Sequence, residues 1–338
     1  FILGWYIMKR IYVKENLSEE KLDSLFIYTI LGTMIGARLG HVIFYQFELF
    51  EQDFFSVFLP FRFNPTFEFT GFRGLASHGA AIGIITSMYI YNNKVLHKSV
   101  LWILDRIVIP VAIGGAFIRI GNFMNSEILG LPTESGNGVV FARNTNDILM
   151  YRFDGRVDEI NFLKREGNKN ENGVPITIRI NYKDGLELDE DYENNYYKND
   201  IKSFLIGYEN IRNHIYQNPS EDLDYKIFKN GSNYYAEIYT VGIPRHPAQL
   251  YEAFYCILLF IGLLSLWYFK RSSINNGFIF SIFMITLWSL RILDELLKEN
   301  QVDWEADIPL NMGQWLSIPM IMLGIAIFIK TFPKKTSK

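Results

Sequence analysis

The chain has 338 residues, of which 49% are apolar, 20% charged and 16% aromatic, with a net charge of −3. This balance excludes a bulk electrostatic attraction to nucleic acid, and the single cysteine, Cys256, excludes an intrachain disulfide or a cysteine-rich metal site. The apolar content argues against disorder, while a mean hydropathy of +0.07 fits either a greasy soluble protein or a membrane protein diluted by a polar insert.

The chain-order pattern favours the second. Residues 1–8 read as the tail of a span whose start is absent, so the chain reads as a fragment. Segment 26–47 holds about 22 residues with one charge, Arg38, long enough to cross a bilayer. Segment 74–91 is shorter and uncharged. Segment 100–120 is apolar apart from Asp105, Arg106 and Arg119. After a long polar stretch come segment 247–269, segment 277–297, which stays apolar until Arg291, and the uncharged segment 313–329.

One set of alternate connections holds Lys9, Arg10, Lys14 and Lys21; Lys94 and Lys98; Lys270 and Arg271; and Lys330, Lys334, Lys335 and Lys338. The gaps 48–73 and 298–312 lean acidic. The positive-inside rule then puts the basic set and the C-terminus in the cytoplasm. The stretch 121–246 falls outside it. Alternating residues over 176–182 and 233–241 predict strands there, and 186–195 reads as an acidic loop. The expected fold is an all-α polytopic membrane protein of about seven transmembrane helices, the first truncated, with a small α+β extracytoplasmic insert. Its parts are 1–130, the insert 131–242, and 243–338.

Ionisable groups within spans are costly and point to function. Arg38 and His41 lie one turn apart beside Gly36 and Gly40, whose spacing permits close helix approach. His78 opens a span among small residues, and imidazole is the commonest general base. In 114–130, Arg119, Asn122, Asn125 and Glu127 gather among glycines that include Gly130. A planar arginine fork suits a phosphate, and glycines admit a headgroup to backbone amides. Arg245, His246, Gln249 and Glu252 form a polar stripe entering the next span. Arg291 and Glu295 sit at i, i+4, as an intrahelical ion pair would. Several arginines at one membrane boundary suggest an anionic lipid headgroup or a phosphate-bearing substrate.

In this order, GARLGHVIFY, SHGAAIG, RIGNFMNSEILG, RHPAQLYE and the R-x-x-x-E span resemble the prolipoprotein diacylglyceryl transferase family over roughly 25–130 and 243–330. Departures from the family pattern are Ile118 for Gly, Ala80 for Gly, Leu287 for Tyr and Lys298 for Arg. The resemblance implies a multi-pass enzyme of the bacterial inner membrane. Its partners are phosphatidylglycerol, the lipobox cysteine of a prolipoprotein signal peptide, and the bilayer; no nucleic acid, metal or cofactor is implied. On this reading Arg119 and Arg291 stabilise the leaving phosphate and His78 is the base. Arg38, Arg119, Asn122, Asn125, Glu127, Gly130, Arg245, His246, Gln249, Glu252 and Glu295 bind substrate, Glu295 also orienting Arg291. Cys256 is packing. The alternative is a membrane transporter or channel for an anionic solute, which needs a polar path to both faces.

Overall fold

The computed structural model describes residues 1–59, 61–71, 74–167, 172–231, 233–299 and 308–332. In chain order they form α1 (Ile2–Lys14), α2 (Glu19–Tyr45), α3 (Leu49–Gln52), β1 (Phe61–Arg62), β2 (Glu68–Phe69), α4 (Ser77–Tyr91) and α5 (Val100–Met124). Then follow α6 (Arg143–Arg152), β3 (Val157–Lys164), β4 (Val174–Tyr182), α7 (Glu190–Asn195), α8 (Lys202–Gly207), α9 (Glu209–Arg212), β5 (Ile215–Tyr216), β6 (Asp224–Asn230) and β7 (Asn233–Gly242). The chain closes with α10 (Ala248–Lys270), α11 (Phe278–Glu295) and α12 (Met312–Thr331).

Each apolar segment becomes a helix. Four of them, Glu19–Tyr45, Val100–Met124, Ala248–Lys270 and Met312–Thr331, are long and apolar enough to cross a membrane. By comparison α1 has 13 residues, α4 has 15, and the 18 of α11 include Arg291, Asp294 and Glu295. Exposed apolar stripes run along the long helices: Ile27, Leu31 and Ile35 on α2, Phe254, Leu258 and Ile261 on α10, Met322, Ile325 and Ile329 on α12. Such surfaces suit lipid tails rather than water. The chain is a mostly helical, multi-pass membrane protein with a small sheet.

Its described residues divide into two compact units. The first comprises Phe1–Ile118, Glu252–Leu296 and the described part of Val302–Lys338. Its core joins Met8, Ile11 and Tyr12 of α1 to Leu22 and Leu25 of α2, Ile103 and Ile107 of α5, Leu263 of α10 and Phe280 and Met284 of α11. The glycines of α2 let α4 approach at backbone contact: the Gly40 and Gly79 faces are so close that a Cβ on Gly40 would sit 2.6 Å from the Gly79 Cα. Asp105, buried on α5, caps α11 by accepting from the amides of Gly277 (2.7 Å) and Phe280 (2.8 Å), because the first turn of a helix leaves its N–H groups unpaired. Arg106 pairs with Glu15 at 2.8 Å. These two charges of segment 100–120 therefore hold helices together.

The second unit comprises Arg119–Tyr251 and the described part of Leu297–Gln301. Its antiparallel sheet runs β3-β4-β7, with β5 and β6 both pairing β7. The alternation expected over 176–182 and 233–241 appears as β4 and β7, with Ile176, Ile178 and Ile180 facing Ala236 and Ile238 in the core. The expected loop 186–195 is corrected in its second half. Residues Glu190–Asn195 form α7, capped by the Asp189 carboxylate. Glu193 is buried and accepts from the hydroxyl of Tyr182 at 2.8 Å. The acidic composition concealed this one carboxylate, whose burial is made tolerable by Tyr182 and by its pair with Arg156.

Candidate active site

The end of α5 builds the first group of candidate residues. The helix stops at Met124 in a Schellman-type turn: Glu127 N–H reaches back to Asn122 O (2.9 Å) and Ser126 N–H to Phe123 O (3.1 Å). Ser126 takes the left-handed position usually held by glycine, at φ 56°, and Ile128 repeats it at φ 55°. A β-branched residue rarely adopts this conformation, which is costly and concentrates at functional sites. The two left-handed residues flank Glu127 and set its direction. Its carboxylate accepts from Asn122 Nδ2 at 2.8 Å and Asn125 Nδ2 at 3.4 Å. Asn122 Oδ1 in turn accepts from Arg119 Nη1 at 3.3 Å. Arg119 is buried, whereas Asn125 and Glu127 are exposed. The group thus runs from an anchored cation to polar groups open to a ligand.

The residues around Gly130 brace this turn. Gln249 Nε2 donates to Glu127 O at 2.6 Å. Gly130 pairs with Lys298 across an antiparallel bridge, between the bonds Leu131 N to Leu297 O (2.8 Å) and Glu299 N to Leu129 O (3.1 Å). A Cβ on Gly130 would overlap the His246 carbonyl, so only glycine fits. Arg245, 2% exposed, spends its donors on the protein: Nη1 on Gly130 O (3.0 Å) and Glu299, Nε and Nη2 on Asn213 O (3.0 and 2.7 Å). His246 Nδ1 lies 3.3 Å from Tyr251 OH.

The first unit holds the other candidates. His78 is buried in the first turn of α4, its ring stacked on Trp288 at 4.5 Å. Its Nε2 lies 3.3 Å from Ser317 Oγ, which donates to Gly313 O at 2.6 Å. Arg291 Nη2 lies 3.3 Å from Glu295, the expected intrahelical pair. Arg291 Nη1 also lies 3.5 Å from Glu252, which spacing along the chain does not reveal. Asn311 Nδ2 donates to Glu295 at 3.1 Å and Tyr255 OH to Glu252 at 3.2 Å. Arg291 Nε has no hydrogen-bond partner among the described residues. Arg38 donates to the carbonyls of Ser56 (2.7 Å) and Val57 (3.2 Å), organising the connection after α2. The His41 ring stacks on Tyr45 at 5.3 Å. Cys256 is buried with Ala116 and Ala253, as the packing role requires.

The model of the family described as prolipoprotein diacylglyceryl transferase matches residues 1–330. The chain belongs to the prolipoprotein diacylglyceryl transferase family. It is 29% identical over 328 residues to a phosphatidylglycerol–prolipoprotein diacylglyceryl transferase of Bacteroides fragilis, covering 96% of this chain and 83% of that protein. The protein of the same name from Chloroherpeton thalassium is 28% identical over 332 residues, covering 98% and 84%. That of Tolumonas auensis is 28% identical over 335 residues, covering 99% and 88%. The match makes the chain a transferase and leaves the transporter alternative without support.

Within this family chain, Arg143 and Asn213 are parts of the candidate groups that the motifs did not reveal. Both lie in the second unit and contact the signature turn or Arg245. Trp288 and Ser317 were also unmarked, because an aromatic and a serine in apolar sequence carry no local signal.

Proposed function

We propose that this chain transfers the diacylglyceryl group of phosphatidylglycerol to the lipobox cysteine of a prolipoprotein. The thiolate sulfur attacks the glycerol carbon that bears the phosphate. A C–S bond forms, the C–O bond breaks, and its electron pair leaves with glycerol phosphate. The thiol proton passes to His78. The observation that carries the reading is the Arg119–Asn122–Glu127 group, which joins a cation to hydroxyl-binding partners as a phosphoglycerol headgroup needs.

Charge on the departing phosphate grows along this path, so fixed cations stabilise the transition state more than the ground state. Arg119 and Arg291 are the cations of the proposal. Glu252 and Glu295 hold Arg291 in place. Asn122, Asn125 and Glu127 bind the glycerol hydroxyls. Gly130, Arg245, His246 and Gln249 keep the turn in shape, and Arg38 supports the connection after α2. The reading extends to a bacterial inner membrane with about seven helices, the C-terminus cytoplasmic and the 131–242 insert outside. The alternation of basic and acidic connections supports that orientation.

Membranes carrying the protein, incubated with phosphatidylglycerol and a lipobox peptide, are expected to yield a peptide heavier by one diacylglyceryl group. Arg119→Ala is expected to lose this product while staying in the membrane. Undiminished product from that variant would overturn the phosphate role.

A further inference from the structure

Arg143 lies outside every motif of the signature, at the first residue of α6. It is exposed. Its Nη1 donates to Asn125 Oδ1 at 3.1 Å and to Met124 O at 3.2 Å. This contact completes a chain of five side chains: Arg119, Asn122, Glu127, Asn125, Arg143.

The chemistry of the chain gives it one direction. A carboxylate only accepts, so both asparagines must turn their NH₂ groups toward Glu127. Both amide oxygens then point away from it and need donors. Arg119 supplies one and Arg143 the other. An arginine has no acceptor with which to satisfy an inverted amide, so the cation at each end locks the orientation of its neighbour. Without Arg143, Asn125 is held only by its 3.4 Å bond to Glu127, a length at the weak limit of hydrogen bonding.

We infer that Arg143 is a positioning residue for the lipid headgroup: it fixes the Asn125 amide, and through it Glu127, in the orientation that receives the glycerol hydroxyls. The inference rests on the reading that Asn125 and Glu127 contact the headgroup. It gives the polar insert a direct part in recognising the anionic lipid, through one exposed side chain. Hydrogen bonds involving a charged group are the stronger kind, and preorganised partners improve binding by lowering ordering costs.

The test is steady-state kinetics of the full chain in mixed micelles with varied phosphatidylglycerol and a saturating lipobox peptide. Arg143→Ala is expected to raise KM for phosphatidylglycerol about three- to tenfold, with kcat changed less than about twofold. Arg143→Lys, which keeps the positive charge and a single donor nitrogen, is expected to recover part of the loss. Asn125→Ala is expected to raise KM, and adding Arg143→Ala to it to cause no further rise, because the two act as one unit. An unchanged KM for Arg143→Ala, or effects of the two changes that multiply independently, would overturn the inference. So would parallel losses of kcat and thermal stability, which mark a role in folding alone. If Asn125→Ala itself leaves KM unchanged, the headgroup reading fails; if it raises KM while Arg143→Ala does not, only the role of Arg143 fails.

Discussion

The imidazole of His78 lies against the indole of Trp288, with 4.5 Å between ring centroids and 24° between planes. Ser317 donates its hydrogen to Gly313 O and turns its lone pairs toward His78 Nε2. A neutral ring that donates from Nε2 to Ser317 keeps its lone pair on Nδ1, the form in which imidazole acts as a base. His78→Asn is expected to lower kcat by about 10²- to 10⁴-fold. The residual rate should then climb about tenfold per pH unit up to the thiol pKa near 8.5, since only free thiolate reacts. A pH–rate profile of the variant parallel to that of the wild type would remove His78 from the role of base.

The turn beside His78 depends on helix contact without side chains. A Cβ on Gly79 would overlap the Gly36 carbonyl and come within 2.7 Å of the Gly40 Cα. Gly79→Ala is expected to force α2 and α4 apart, at a cost of about 1–3 kcal/mol, and to lower turnover by moving the neighbouring imidazole. Gly262→Ala on α10 meets no atom within 4 Å and should be neutral or stabilising by up to about 1 kcal/mol. Melting temperatures of both variants in detergent check the contrast. Equal effects would mean that helix propensity, not close packing, explains the glycines.

Arg291 stands between Glu252 and Glu295, all three buried. Arg291→Ala removes the cation that both carboxylates contact, and breaking a buried ion pair in this way costs about 3–5 kcal/mol. It should therefore reduce both stability and turnover. Lys298→Ala, which keeps the backbone bridge to Gly130, is expected to cost less turnover than Arg291→Ala. Rates measured for the two variants at equal protein in the membrane decide the matter; a larger loss for Lys298→Ala would mean that it, and not Arg291, is the second cation.

His214, in the second unit, is buried and its Nδ1 has no hydrogen-bond partner among the described residues. Burial, aided by the Arg245 charge and opposed by Glu299, pushes its pKa down to about 4. The unfolded chain binds a proton near pH 6.5 and the folded one does not until about pH 4. Stability from this group is therefore full above about pH 6.5 and is lost as pH falls toward 4. Wild type is expected to lose melting temperature across that window faster than His214→Gln does. Parallel curves would show that His214 is not the group that titrates.

Much of this organisation is visible along the chain because it is local. A helix needs only its own run of apolar residues and an end signal, so 26–47, 100–120 and 313–329 become α2, α5 and α12, with α2 starting earlier, at Glu19. The i, i+4 pair Arg291–Glu295 follows from helix geometry alone. The strands β4 and β7 follow from alternation. The misread stretch is 190–195, where charge density suggested a loop. The deciding contacts of Glu193 with Tyr182 and Arg156 come from elsewhere in the chain.

What the amino-acid order determines by itself is the apolar runs that become helices, the polar stretch between them, and the signature RIGNFMNSEILG with its family. Each depends on neighbours within a turn or two, where spacing translates directly into position. Only the tertiary structure decides which side chains restrain the candidate site residues. It sets Trp288 and Ser317 against His78, and Glu252 beside Arg291. It spends Arg245 on the carbonyls of Gly130 and Asn213, and brings Arg143 to Asn125. These pairings join residues far apart in sequence, and their formation depends on packing and on satisfying buried polar groups, which no local pattern encodes.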